Sequence, residues 1–193
     1  LYPNGALASH ILGGASFGKE GVDSAEIVGV AGVEKTFDSQ LQDPTYSKNP
    51  FKLTLDLSIQ AAVEHVLEGG MRLLNAKGAA AILMEVDTGR IISLASLPDF
   101  DPNHRPKLPS RGSAAESPLF NKAIQGVYEL GSTFKIFTVA QALELGLVDP
   151  KTKINTKGPI RIGGHKIDDY RNNGPELPVW EVITESSNLG TAR

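Results

Sequence analysis

Tyr128-Glu129-Leu130-Gly131-Ser132-Thr133-Phe134-Lys135 runs directly into an apolar stretch, residues 136–145. A hydroxyl and an amine stand three positions apart where a helix should begin, so both side chains leave one face, one above the other. Ile136, Phe137, Val139, Ala140 and Leu143 are apolar nearly all round that helix, the pattern of a rod buried in a core. Gly146 supplies the usual stop.

The chemistry explains the spacing. A serine hydroxyl is a weak nucleophile at neutral pH until its proton is taken, and a lysine can take it only when burial or a neighbouring cation lowers its pKa. Burial of the 136–145 helix would desolvate Lys135. At the first turn Ser132 also feels the positive end of the helix dipole and lies beside unpaired backbone N–H groups, both of which favour a developing oxyanion. Gly131 removes a side chain where a substrate must approach. Alone, the pattern is weak. Ser132 reads equally well as a helix N-cap, and Ser16-Phe17-Gly18-Lys19 has the same spacing among glycines with no apolar helix behind it.

A second feature gives the first its context. Pro178 suits a first helical turn, with Val179, Val182 and Ile183 on the apolar side, and Glu185-Ser186-Ser187-Asn188 follows. Ser186 and Asn188, two apart in a loop or extended segment, would point to the same side. Such a pair can pass a proton to a leaving amine and hold the amide of a peptide substrate. The same letters also make an ordinary polar turn, and Ser47-Lys48-Asn49 has the same form. Order and context separate them: a Ser-x-x-Lys opening an apolar helix, then a Ser-x-Asn behind another helix.

Residues 126–135 and Ser186-Ser187-Asn188 resemble the first two active-site motifs of class B penicillin-binding proteins, the monofunctional transpeptidases of peptidoglycan synthesis. Tyr2-Pro3-Asn4-Gly5 with His10 and Leu12-Gly13, and the run from Gly29 to Asp38, are similar to motifs of the non-catalytic region that precedes that domain. The likeness covers essentially the whole chain and, within the class, points to the septal, cell-division transpeptidases. It implies an α+β chain: part of a small mixed pedestal (dimerisation-like) domain over residues 1–49, then the N-terminal portion of a penicillin-binding/β-lactamase-like transpeptidase fold, incomplete, over residues 50–193.

The same resemblance implies roles. Ser132 would attack the penultimate D-Ala carbonyl of a stem peptide, Lys135 take the serine proton, Ser186 relay a proton to the departing D-Ala, and Asn188 orient Lys135 and the substrate amide. The implied partners are peptidoglycan stem peptides, β-lactam antibiotics and membrane-bound septal wall-synthesis proteins. The implied location is the bacterial inner membrane, with the catalytic domain in the periplasm. No cofactor is implied.

Composition excludes other classes. With 193 residues and 40% hydrophobic content the chain can build a core, and a formal charge of −3 without a Lys/Arg block gives no reason to expect nucleic-acid binding. The absence of cysteine removes disulfides, thiol catalysis and thiolate metal sites. His10, His65, His104 and His165 are scattered without paired spacing, so no metal site is expected. No apolar run approaches the length of a membrane span and nothing resembles a signal peptide. The chain begins at Leu1 and reads as a piece of a longer protein whose family carries an N-terminal anchor upstream.

Outside the motifs the sequence speaks of packing. Val33, Phe37 and Leu41 at steps of four predict one short amphipathic helix in the pedestal, and residues 43–50 a linker. Phe51, Leu53, Leu55 and Leu57 alternate with polar residues as in a half-buried strand. Ile59, Ala62, Val63, Val66, Leu67, Met71 and Leu74 recur at helical spacing, with Ser58 as the expected cap and Gly69-Gly70 a weak point. Residues 79–86 and 90–97, joined through Asp87-Thr88-Gly89, predict a hairpin of strands covered on both faces. Residues 99–118 read as a surface loop leading toward the active-site helix, and Gly163-Gly164 as the turn of a small β-ribbon. Asp168, Asp169, Tyr170 and Arg171 read as a solvated charged turn, with a place beside a substrate groove as the other possibility.

One family motif, a Lys-Thr/Ser-Gly strand following the second motif, is not among these residues; Lys151-Thr152-Lys153 and Thr156-Lys157-Gly158 precede it. That strand supplies an oxyanion-hole N–H and a cation for the substrate carboxylate, worth several kcal/mol to the transition state. The expectation is that these residues alone are nearly inactive and that the hairpin is left with open edges. Leu130 stands where many relatives have proline, which should alter only local stiffness. Two other readings stay open: a β-lactamase or β-lactam sensor of the same fold, and a non-catalytic division scaffold in which Ser132 is only a cap.

Overall fold

The computed structural model describes residues 1–17, 27–46, 49–107 and 111–193, which fall into two units, Leu1–Val127 and Tyr128–Arg193. The first unit begins with a helical turn α1 (Ser9–Leu12) and a two-stranded antiparallel sheet of β1 (Gly14–Phe17) and β2 (Ile27–Ala31). Two glycines let the backbones meet. A Cβ on Gly13 would lie 1.9 Å from the Ala31 oxygen, one on Gly32 would lie 2.5 Å from the Ile11 oxygen, and both residues have positive φ. The decoy residues Gly18, Lys19, Ser47 and Lys48 lie outside the described residues.

The single helix expected from Val33, Phe37 and Leu41 is instead two short ones, α2 (Gly32–Thr36) and α3 (Asp38–Gln42), broken at Phe37. The break has a local cause. The Asp38 carboxylate accepts hydrogen bonds from Gly29 N at 2.9 Å and Gln42 Nε2 at 3.1 Å, tying α3 to β2, while the Phe37 ring turns onto Phe51, 4.4 Å between centroids.

Residues 51–56 do not form the expected strand. They bend at Thr54 and, among the described residues, meet the neighbouring strand through Thr54 Oγ1 to Ile91 O and Asp56 N to Ile92 O, and Leu57 is drawn into the helix that follows. Asp56, not Ser58, caps that helix, α4 (Leu57–Leu74): its carboxylate accepts from Ser58 N and Ile59 N at 2.9 and 3.0 Å. The helix continues through Gly69 and Gly70 and stops at Asn75, which is left-handed at φ 49°.

The hairpin forms as read, β3 (Ala79–Met84) antiparallel to β4 (Ile91–Leu97). Its strands are not equivalent. β4 is buried from Ser93 to Leu97 beneath α4, whereas Ile82, Leu83 and Met84 of β3 stay about half exposed, and β3 pairs with no other strand among the described residues. At the centre of the α4 contact lies Gln60, fully buried. Its Oε1 accepts from Ser93 Oγ (2.8 Å) and Leu94 N (3.0 Å), and its Nε2 donates to Leu94 O and to Glu64 Oε1 (both 2.8 Å). Every hydrogen-bonding position of the amide is therefore used.

The second unit contains α5 (Lys135–Glu144), β5 (Lys153–Asn155), β6 (Ile160–Ile162), β7 (His165–Ile167), β8 (Glu176–Pro178), α6 (Val179–Thr184) and α7 (Asn188–Thr191). β6 and β7 form the expected ribbon around Gly163-Gly164, both at positive φ, and β5 pairs antiparallel with β8. Leu177, Val179, Val182 and Leu189 are its buried apolar residues. The expectation of an all-round buried α5 fails: Ile136 and Phe137 are 58% and 63% exposed. Only the side bearing Val139 and Ala142 is half-buried, because within this unit α6 and α7 pack against one face alone.

Candidate active site

Ser132 sits in a single 3-10 turn, Gly131–Phe134, that leads straight into α5. In such a turn residues three apart eclipse, so the geometry puts the Ser132 and Lys135 side chains on one side. Gly131 is required for a different reason from the one its sequence position suggests. A Cβ there would meet nothing within 4 Å, but the backbone is left-handed at φ +57°. Thr133 closes the turn, its Oγ1 donating to Leu130 O at 2.6 Å. Neither the turn nor α5 has a side-chain cap, and the Ser132 hydroxyl makes no hydrogen bond among the described residues. The N-cap role open to Ser132 in the sequence is therefore not the one it fills.

Lys135 reaches across 51 residues of sequence to the second motif. Its Nζ donates to Ser186 O at 2.5 Å and to Ser186 Oγ at 3.0 Å. Desolvation there pulls the Lys135 amine below the ordinary lysine range, and the negative charge of Asp169 opposes that shift.

Ser186 adopts a left-handed backbone at φ 52°, uncommon for a residue with a side chain. It is held by Ser186 N to Ile183 O and Ser187 N to Val182 O at the end of α6. Ser187, buried, caps α7 by accepting from Gly190 N at 2.8 Å. Asn188 is not in a loop but opens α7, and its Nδ2 donates to Asp168 O at 2.8 Å; among the described residues no bond joins it to Lys135. Of the four residues singled out in the sequence, Lys135 and Ser186 are thus bonded to each other, Asn188 stands two residues beyond Ser186, and Ser132 lies on the turn that leads into Lys135.

Asp168 and Asp169, read as a solvated charged turn, do structural duty here. Asp169 accepts from Ser187 Oγ at 2.8 Å and from Leu189 N at 2.9 Å, while the Asp168 carboxylate pairs with Lys166 at 2.9 Å. Arg171 pairs with Glu185 just before Ser186. No sequence spacing announces this, since the loop and the motif lie 18 to 20 residues apart. An open cavity of about 530 Å³ has Lys157, Asp168, Asp169, Arg171 and Leu189 in its wall. Among the described residues no cluster of three or more His, Cys, Asp or Glu is placed to hold a metal ion.

A serine-bearing turn, a desolvated amine and a Ser-x-Asn helix start are groups that acyl-serine chemistry can use. The penicillin binding protein transpeptidase domain model matches residues 79–193, well over half of the chain. The chain belongs to that family. Along its whole length this transpeptidase-domain chain is 34% identical to the "probable peptidoglycan D,D-transpeptidase FtsI" of Caulobacter vibrioides, of which it covers 30%. It is 28% identical to the peptidoglycan D,D-transpeptidase FtsI of Escherichia coli K12, covering 34%, and 30% identical to the "probable peptidoglycan D,D-transpeptidase PenA" of Neisseria gonorrhoeae, covering 35%. The chain spans about a third of the length of the curated relatives it matches. Its mixed helices and strands are those of an incomplete transpeptidase fold of the α+β class. Among the described residues no helix is long and apolar enough to cross a membrane.

Proposed function

We propose that the protein carrying this chain is a serine-type peptidoglycan D,D-transpeptidase of septal wall synthesis, with residues 1–49 in its pedestal and residues 50–193 in its catalytic domain. The observation that carries the reading is the Lys135 amine, partly desolvated and bonded to Ser186 from the helix that Ser132 precedes. Lys135 in its free-amine form takes the Ser132 proton as Oγ bonds to the penultimate D-Ala carbonyl carbon. The carbonyl π electrons move onto oxygen and return as the C–N bond to the terminal D-Ala breaks. Ser186 hands the proton from Lys135 to that departing amine, leaving an ester on Ser132. An amine of a neighbouring stem peptide then attacks the ester, the Oγ–C bond breaks, and the serine regains its proton. Asn188, anchored through Nδ2, keeps its Oδ1 for the substrate amide. A β-lactam would acylate Ser132 by the same steps, its amide opening without a leaving group departing.

The family resemblance and the FtsI names of the relatives support septal wall-synthesis proteins as partners and an anchored protein with its catalytic domain in the periplasm. The 193 residues alone carry no Lys-Thr/Ser-Gly beyond Asn188, and by themselves should acylate slowly at best. Fluorescent penicillin applied to the full-length protein tests the assignment. The unsubstituted protein should be labelled and Ser132→Ala should not; undiminished labelling of Ser132→Ala overturns it.

A further inference from the structure

Three consecutive residues, the last two of the second motif and the leucine after it, are held from one short loop. Asp168 offers its backbone oxygen to Asn188 Nδ2, and Asp169 offers one carboxylate oxygen to Ser187 Oγ and the other to Leu189 N. Ser187 is fully buried and its hydroxyl also accepts from Gly190 N, so the Asp169 bond fixes the proton of a group that already caps α7. Immediately before this clamp, Ser186 holds its left-handed backbone and presents both oxygens to Lys135. A left-handed serine costs on the order of 1 kcal/mol and persists only where its surroundings impose it. The clamp on residues 187–189 fixes the chain immediately after Ser186, beside the Ser186 N–Ile183 O and Ser187 N–Val182 O bonds that hold it at the end of α6.

We propose that Asp169 is a positioning residue for acyl transfer, its carboxylate gripping Ser187 and Leu189 so that the Ser186 oxygens face the Lys135 amine. The inference rests on the transpeptidase reading above. Asp169 acts twice, by geometry and by charge. Among the described residues it is the charged group that opposes the desolvation of Lys135. The other charged groups around the junction are engaged elsewhere, Asp168 with Lys166 and Glu185 with Arg171, while Asn173 Nδ2 lies 3.5 Å from the Asp169 carboxylate. The family's Ser-x-Asn pattern says nothing of this residue, because the grip falls on its middle serine and on the leucine beyond it.

The test is the rate of penicillin acylation of the full-length protein as a function of pH, for Asp169→Asn beside the unsubstituted protein. Asparagine keeps the shape and one acceptor but removes the charge, so the Lys135 amine loses its proton more readily. The acid limb of the profile should move to lower pH by about half to one unit, and the plateau should fall about ten- to a hundredfold as the grip weakens. Asp169→Ala, if it folds, should show a lower plateau still. An acid limb that stays in place in Asp169→Asn overturns the proposal, whatever the plateau or the melting temperature does. Failure of the parent reading looks different: Ser132→Ala would still be labelled.

Discussion

Ser186 offers a perturbation in which chemistry and conformation separate. Replacing it by alanine or by glycine removes the same hydroxyl and its 3.0 Å bond to Lys135, but neither removes the backbone oxygen 2.5 Å from that amine. Lys135 should therefore stay at the junction in both variants, and both should lose only the proton relay. A relay of this kind is worth about 10²- to 10⁴-fold in rate, and the two variants should fall within a few-fold of one another. Stability should split them. At φ 52° a Cβ is strained, so glycine should be the more stable variant by about 1 kcal/mol, even after its greater freedom in the unfolded chain is counted. The assays are penicillin acylation rates and urea midpoints on the full-length protein. Wild-type acylation in either variant, or a Ser186→Ala protein more stable than Ser186→Gly, would refute the reasoning.

Two further outcomes follow from the first unit. Gln60→Leu keeps the bulk but strips partners from Leu94 N, Leu94 O and Ser93 Oγ in a site without water access; a loss of about 3–6 kcal/mol is expected, and an urea midpoint within about 1 kcal/mol of the parent contradicts it. His10 is held below the ordinary histidine range, first by burial and then by the Lys122 and Arg105 cations, despite its bond to Pro98 O. Its neutral form is favoured on folding, so the unfolded chain binds more protons and stability falls as pH drops below about 6.5 toward the lowered value. Thermal midpoints of His10→Gln should decline less steeply over that window; parallel curves would count against the assignment.

Helices whose signal is a run of adjacent letters were legible in the sequence. Residues 136–145 and 59–74 gave α5 and α4, and Asp87-Thr88-Gly89 and Gly163-Gly164 gave two hairpins, because periodicity and turn chemistry act within a few residues. Where a side-chain bond to the backbone competed, the hydrophobic pattern lost. Phe37 has helical spacing but breaks its helix once Asp38 bonds Gly29, and the alternation at residues 51–57 yields to an Asp56 cap. For the proposed site, Ser132, Lys135, Ser186 and Asn188 are named from spacing and family likeness.

The sequence by itself determined which groups are chemically able: a serine and a lysine three apart ahead of an apolar helix, and a Ser-x-Asn behind another. Only the tertiary structure decided how they are engaged. It turned Lys135 toward both oxygens of Ser186, left the Ser132 hydroxyl free of any cap, and converted Asp169 from a presumed surface charge into the grip on Ser187 and Leu189. The physical reason is that a pKa and a hydrogen-bond partner depend on what lies within a few ångströms. For these groups that means residues 18 to 51 positions away, which no local reading of the chain can rank.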